Sequence, residues 1–191
     1  MIDVVYFILG VFVLLWIFTF ILLSKDIFKT GAVKVHKVKV KKKESFWIMF
    51  IINIICLGII IGSFIKLRPA TTWYNYIGVA MIFIGGLIRI YARKALDRFF
   101  SFEVVIQKGH KLVTTGVYKI VRHPMYLSMT LILFGLAIAL SSIYGVIALV
   151  LLYLPAMLYR INAEEELLIK EFGREYLAYM ERTKKIIPKV Y

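Results

Sequence analysis

The stretch YLSMTLILFGLAIALSSIYGVIALVLLYLPAMLY, from Tyr126 to Tyr159, contains no charged residue. A single helix of that length, rising about 1.5 Å per residue, overruns a hydrocarbon core about 30 Å thick. Ser141-Ser142 divides the run near its middle, and each half comes close to the spanning minimum. The reading is therefore a tight helical hairpin, residues 126–159, with its tip at Leu140 to Ile143. Pro155 is expected to bend the second arm, because proline removes one helical hydrogen bond. A hairpin returns the chain to the side it left, so residues before Tyr126 and after Tyr159 are expected to meet on one membrane face.

Three more apolar runs precede the hairpin. Ile2 to Leu23 begins Met-Ile-Asp and ends Leu-Ser-Lys, unlike a cleaved signal with its basic start and small-residue exit, and is read as a retained helix. The second is Phe46 to Ile65. The third is Trp73 to Tyr91, opening on Trp73, Tyr74 and Tyr76 as an interfacial aromatic belt. The expected fold is an all-α integral membrane protein with five transmembrane helices, the short fourth also compatible with a partly re-entrant helix. Residues 1–106 would hold the N-terminal spans (about 2–23, 46–65 and 73–91) and their loops, and residues 107–191 the hairpin and the polar stretches that flank it.

Hydrophobic residues make up 61% of the chain and charged residues 19%, with a formal net charge of +14. In a soluble protein that charge would point to nucleic acid. Here it lies largely between apolar runs, where the positive-inside rule explains it without a nucleic-acid partner. Lys25, Lys29, Lys34, Lys37, Lys39, Lys41, Lys42 and Lys43 precede the second span, Arg89 to Arg122 is rich in basic residues, and so is the tail. Lys66 and Arg68 are the basic residues expected on the opposite face. This pattern places the N-terminus outside and the C-terminus in the cytoplasm. The alternation of valine and lysine from Lys34 to Lys43 reads as a topology determinant, or as a patch for anionic lipids. The single Cys56 forms no internal disulfide.

Two polar blocks are left unexplained by topology. Gln107 to Tyr126, QKGHKLVTTGVYKIVRHPMY, holds two of the three histidines, His110 and His123. Arg160 to Tyr179 holds Arg160, Glu164, Glu165 and Glu166. Ordinary structural roles are available for each residue. Pro124 suits a first helical turn, and His123 before it can bond backbone. Asn162 and Glu165 have capping-box spacing if a helix begins there. Arg160 and Glu164 can pair on one helical face, and Leu167, Leu168, Phe172, Tyr176 and Tyr179 recur as an amphipathic helix. Metal chemistry has no His-x-x-Glu-His or Cys-x-x-Cys arrangement to rest on. A Gly-x-Ser-x-Gly elbow, a phosphate loop and a Rossmann fingerprint are also missing from the sequence.

Together the blocks resemble the isoprenylcysteine carboxyl methyltransferase family, especially its compact prokaryotic members. The residues concerned are His110-Lys111-Leu112-Val113, Gly116-Val117-Tyr118 and Arg122-His123-Pro124-Met125-Tyr126. After a hairpin of matching length come Arg160, Glu164-Glu165-Glu166, Phe172-Gly173 and Glu175-Tyr176. The likeness covers Gln107 to about Pro188. Arg-His-Pro-x-Tyr alone is shared with phospholipid methyltransferases and echoed in sterol reductases. The resemblance implies S-adenosylmethionine bound without a Rossmann domain, in a cytosolic pocket of loop, hairpin ends and C-terminal helix. It implies that His110, Lys111, Leu112, Val113, Tyr118, His123, Pro124, Met125 and Tyr126 line that pocket. Glu164 would hold a polar or cationic part of the cofactor, and Gln107 aligns with a cofactor-contacting glutamine despite shorter spacing before His110. Arg160 matches the arginine that engages the methyl-accepting carboxylate of a lipophilic substrate, such as a prenylated cysteine, arriving from the bilayer. Methylation of a phospholipid amine, a nicotinamide-dependent reductase and a non-catalytic scaffold stay open as alternatives.

Overall fold

Long apolar runs without proline favour helix, because a membrane leaves the backbone no partner but itself. The structure, a computed structural model, describes residues 44–96 and 112–186. Helix α1 is Glu44–Leu67 and α2 is Trp73–Leu96. Glu44 in the first turn of α1, and Arg93 with Lys94 in the last turn of α2, suit the helix dipoles. A 3₁₀ turn, Gly116–Lys119, precedes α3, Pro124–Ala139. Pro124 occupies the first turn of α3, as its missing N–H predicts.

The hairpin turn falls at residues 140–142, where expected. Ser142 caps the next helix, its hydroxyl accepting from the Gly145 N–H at 3.0 Å. That helix runs without interruption from Ile143 to Phe172. It comprises α4 (Ile143–Ala148), a π-helical segment (Leu149–Tyr153) and α5 (Leu154–Phe172). Pro155 cannot donate to the carbonyl four residues back, and the wider π turn lies immediately before it.

Helix α5 passes straight through Asn162 and Glu165, so no capping box forms there. The amphipathic run to Tyr179 is two helices, not one. Gly173, at φ 52°, breaks it, and α6 (Arg174–Arg182) follows. The third apolar run also extends past Tyr91 to Leu96.

Helices α2 and α3 lie antiparallel, in contact through small residues. A Cβ added to Gly85 would sit 2.8 Å from the Ser128 carbonyl and 2.9 Å from Ile132 Cγ1. Gly78 abuts Gly135 and Ala139 in the same way. Close backbone approach of this kind is how membrane helices gain packing. Gly85→Val is therefore expected to cost about 1–3 kcal/mol by overpacking, seen as a lower detergent-unfolding midpoint. Gly86→Val, with nothing within 4 Å of its added Cβ, is the matched control.

At the hairpin tip the Asn75 amide donates to the carbonyls of Ile138 (3.1 Å) and Ala139 (2.9 Å) and to the Ser141 hydroxyl (2.7 Å). This ties the start of α2 to the turn. On the other arm, Ser63 of α1 bonds Ser142.

Among the described residues, three helices are long and apolar enough to cross a membrane: Trp47–Leu67, Trp73–Leu96 and Ile143–Phe172. Helix α3, at 16 residues, is shorter than a usual span. Exposed apolar side chains such as Ile51, Ile54, Phe83, Ile90 and Leu151 form faces suited to lipid. The chain is an integral membrane protein of predominantly helical structure. The run Ile2 to Leu23 and the lysine-rich stretch 25–43 lie outside the described residues.

Candidate functional site

Antiparallel packing gathers the start of α1, the end of α2, the start of α3 and the C-terminal part of α5 on one side of the bundle. Helix α5 carries its charged residues only from Arg160 onward, past the apolar part that faces lipid. There the side chains form two linked hydrogen-bonded groups.

The first group centres on Tyr126. Arg160 Nε donates to the Tyr126 hydroxyl at 3.0 Å, and that hydroxyl donates to Glu164 Oε2 at 2.8 Å. Arg160 and Glu164, one helical turn apart on α5, are thus joined through a phenol on α3. The Arg160 Nη1 also donates to the Ser45 hydroxyl at 3.4 Å, and both residues are buried. The first turn of α1 therefore belongs to the site, a contact with no local signal in the sequence.

The second group centres on Glu165, which is buried. Its Oε1 lies 3.0 Å from Arg122 Nε and 3.1 Å from His123 Nε2, and its Oε2 lies 3.1 Å from Lys185 Nζ. His123 thus directs its ring to a carboxylate rather than to backbone. Arg122 also donates to the carbonyls of Met180 and Thr183, and Lys185 donates to Asn162 Oδ1 at 2.9 Å. A parallel bridge between Val121 and Lys184, with Arg122 N donating to Lys184 O and His123 N to Lys185 O, straps residues 183–186 beside the loop. The His123 and Tyr126 rings meet edge to face with centroids 5.8 Å apart, which joins the two groups. His123 and Arg160 consequently border one site.

Three further phenols belong to this region, Tyr118, Tyr176 and Tyr179. The Tyr179 hydroxyl donates to the Tyr118 carbonyl at 2.6 Å. Burial pushes its pKa up to about 12, against the opposing Thr183 hydrogen bond and the Arg122 charge. Burial, then the Glu164 charge, raises Tyr118, and burial with Glu165 and Glu164 raises Tyr176. All three stay protonated at neutral pH. The Tyr176 hydroxyl is buried with no hydrogen-bond partner among the described residues. A buried donor without an acceptor is costly, and here it lies within reach of the charges of Glu164 and Glu165. A polar ligand beside these carboxylates would satisfy it.

Of the residues singled out in the sequence, Tyr118, His123, Tyr126, Arg160 and Glu164 come together. Pro124 and Met125 start α3 beneath them, the Met125 carbonyl accepting from Ser128 Oγ at 2.8 Å. Leu112 and Val113 are half-buried in the approach to the 3₁₀ turn. Gln107, His110 and Lys111 lie outside the described residues. Ser45, Arg122, Glu165, Tyr176, Tyr179, Thr183 and Lys185 are additions to the site residues expected from the sequence. Tyr176 had a signal, since it stands in the Glu175-Tyr176 pair that carries part of the resemblance. No potential metal cluster of three His, Cys, Asp or Glu occurs among the described residues.

The family model described as phospholipid methyltransferase matches residues 73–175, which include α2, the hairpin and both carboxylates. Protein-S-isoprenylcysteine O-methyltransferase B of Arabidopsis thaliana is 33% identical over 61% of this chain and 60% of its own length. The Xenopus laevis protein-S-isoprenylcysteine O-methyltransferase is 31% identical over 61% of this chain and 41% of its own. For the Saccharomyces cerevisiae protein of the same name the figures are 30%, 62% and 51%. The chain thus matches between about two fifths and three fifths of these relatives' lengths. Among solved structures, the eukaryotic intramembrane Ras methyltransferase, isoprenylcysteine carboxyl methyltransferase, aligns with a TM-score of 0.60 at 24% identity. The alignment covers 80% of this chain and 55% of that one, a likeness of fold.

Proposed function

We propose, from the premise that this chain belongs to the phospholipid methyltransferase family, that it transfers a methyl group from S-adenosylmethionine to the carboxylate of a lipophilic acceptor of the prenylated-cysteine kind. The Arg160–Tyr126–Glu164 hydrogen-bonded chain carries the reading. It sets a cation suited to a carboxylate beside an anion suited to a cationic cofactor, with one phenol fixing their separation. The relatives named as O-methyltransferases favour the carboxyl acceptor.

When bound, the cofactor would supply an electrophilic methyl on a positively charged sulfur. Glu164, Tyr118 and Tyr126 would hold its polar end, with the Tyr176 hydroxyl as a donor seeking an acceptor. Leu112, Val113, His123, Pro124 and Met125 would wall the pocket, and Gln107, His110 and Lys111 belong to the same proposal. Arg160 would grip the acceptor carboxylate, for which the planar guanidinium fork is well shaped. A carboxylate is ionised at neutral pH, so the protein needs to orient and dehydrate it rather than deprotonate it. We place this site at the cytoplasmic face, with the N-terminus outside and the basic loops toward anionic lipid. The acceptor would approach laterally from the bilayer and the cofactor from water.

The family description also favours a second reading, methylation of a phospholipid amine. That reaction must first remove an ammonium proton and needs a base. Nε2 of His123 is directed at Glu165, which leaves Nδ1 as the nitrogen such a base would use, while Glu164 already accepts from Tyr126.

Calorimetric titration with S-adenosylhomocysteine tests the cofactor half. The wild-type protein is expected to bind, and Glu164→Gln to weaken binding about 10-fold or more, the scale of one hydrogen bond to a charged group. Absence of binding by the wild type would remove the methyltransferase reading.

A further inference from the structure

An arginine inside a membrane span is costly, and its placement is informative. Arg89 lies within α2, one of the helices long and apolar enough to span. The buried residues of α2 are Asn75, Gly78, Ile82, Gly85 and Ala92, a stripe at three- and four-residue spacing. Arg89 falls on that stripe, four residues after Gly85 and three before Ala92. It therefore faces the bundle and not the lipid, and it is half-buried.

Packing fixes its level. Gly78 meets Gly135 and Ala139 of α3, and Gly85 meets Ser128 and Ile132. Seven residues forward on α2 correspond to seven backward on α3. Continuing four residues past Gly85 brings Arg89 level with the first turn of α3, the turn of Tyr126. Its charge couples to the Tyr153 hydroxyl, which lies 3.2 Å from Thr130 Oγ1. Thr130 in turn donates to the Tyr126 carbonyl at 2.9 Å. Among the described residues, Arg89 makes no hydrogen bond and no ion pair with an acid.

We propose that Arg89 is an anion-binding residue for the acceptor, taking its carboxylate from α2 while Arg160 engages it from α5. The inference rests on the reading of the acceptor as a lipophilic carboxylate. A guanidinium keeps its proton in any protein environment, and within a membrane span a charged or polar partner stabilises it. Among the described residues no carboxylate pairs with Arg89, whereas the proposed acceptor brings one at the end of an apolar chain. A carboxylate held by two guanidiniums would also be told apart from a neutral lipid of equal length. The neutral analogue would leave Arg89 without an anion.

The test uses the full chain in lipid nanodiscs and measures binding of an N-acyl S-prenylcysteine and of its uncharged carboxamide. Arg89→Gln and Arg89→Met are expected to weaken the acid about 10- to 100-fold, the scale of one charge-assisted hydrogen bond. Carboxamide and S-adenosylhomocysteine affinities should stay within about twofold. Arg89→Met removes a charge from an apolar span, so it should unfold no more easily than the wild type. Greater resistance to unfolding with a lost preference for the acid is an outcome that a structural arginine would not give. Equal weakening of acid and carboxamide, no weakening of either, or a wild type without acid preference overturns the assignment. A wild type that binds the acid through Arg89 yet transfers no methyl group keeps this site and removes the methyl-transfer reading. Methyl transfer to the acid that is indifferent to Arg89 does the reverse.

Discussion

Arg160→Ala is expected to lower kcat/KM by about 10²- to 10³-fold, the range for loss of one electrostatic anchor in a water-poor site, while S-adenosylhomocysteine affinity changes by less than about threefold. Both halves of this result follow from the hydrogen bonds. Arg160 is linked to Glu164 through the Tyr126 hydroxyl. Removing the guanidinium leaves the Tyr126–Glu164 bond in place, and with it the carboxylate proposed to hold the cofactor. Arg160→Lys should recover part of the activity but not all, because an ammonium is a point charge and lacks the planar fork. Initial-rate kinetics beside calorimetry on the same preparations provides the check. Equal loss of cofactor affinity in Arg160→Ala and Glu164→Ala would reduce the pair to a structural bridge between α3 and α5.

The second large effect is on stability. Glu165→Ala would leave Arg122, His123 and Lys185 around an empty position in a buried setting. Breaking a buried ionic network by removing one partner costs about 3–5 kcal/mol, and the thermal midpoint should fall by roughly 10 °C. Glu165→Gln keeps the shape and hydrogen-bonding capacity and should cost less. The strap at residues 183–186 should loosen first, because Lys185 loses one of its anchors while the Val121–Lys184 bridge and the Arg122 contacts to Met180 and Thr183 persist. Hydrogen exchange confined to the strap and α6, ahead of global unfolding, would show this. A midpoint unchanged by Glu165→Ala would contradict the role of Glu165 as the hub.

Much of this architecture could be read from the chain because the membrane imposes strong rules. A charge-free run too long for one span, split by Ser141-Ser142, has few solutions besides a hairpin, and the turn lies at residues 140–142. Pro124 opened α3 for the reason its chemistry gives. The polar blocks flanking the hairpin were expected to meet, and Tyr118, His123, Tyr126, Arg160 and Glu164 do.

What escaped the reading depends on contacts between residues distant in sequence. Arg122 and Glu165 were both visible within motifs, yet nothing local tells Arg122 that its partners are Glu165, Met180 and Thr183. Lys185 looked like one more basic residue of the tail. Helical periodicity carried the C-terminal helix through Gly173, since a period is insensitive to a single left-handed residue. Arg89 opens a stretch rich in basic residues, which hides that its spacing from Gly85 and Ala92 sets it on the buried stripe of α2.

The transfer of a radiolabelled methyl group tests the central claim most directly. Purified protein in lipid vesicles, given methyl-labelled S-adenosylmethionine and an N-acyl S-prenylcysteine, is predicted to yield label released as volatile methanol by mild base, the signature of a methyl ester. Label held stably on phosphatidylethanolamine in the same vesicles, or no transfer to either acceptor, would contradict it.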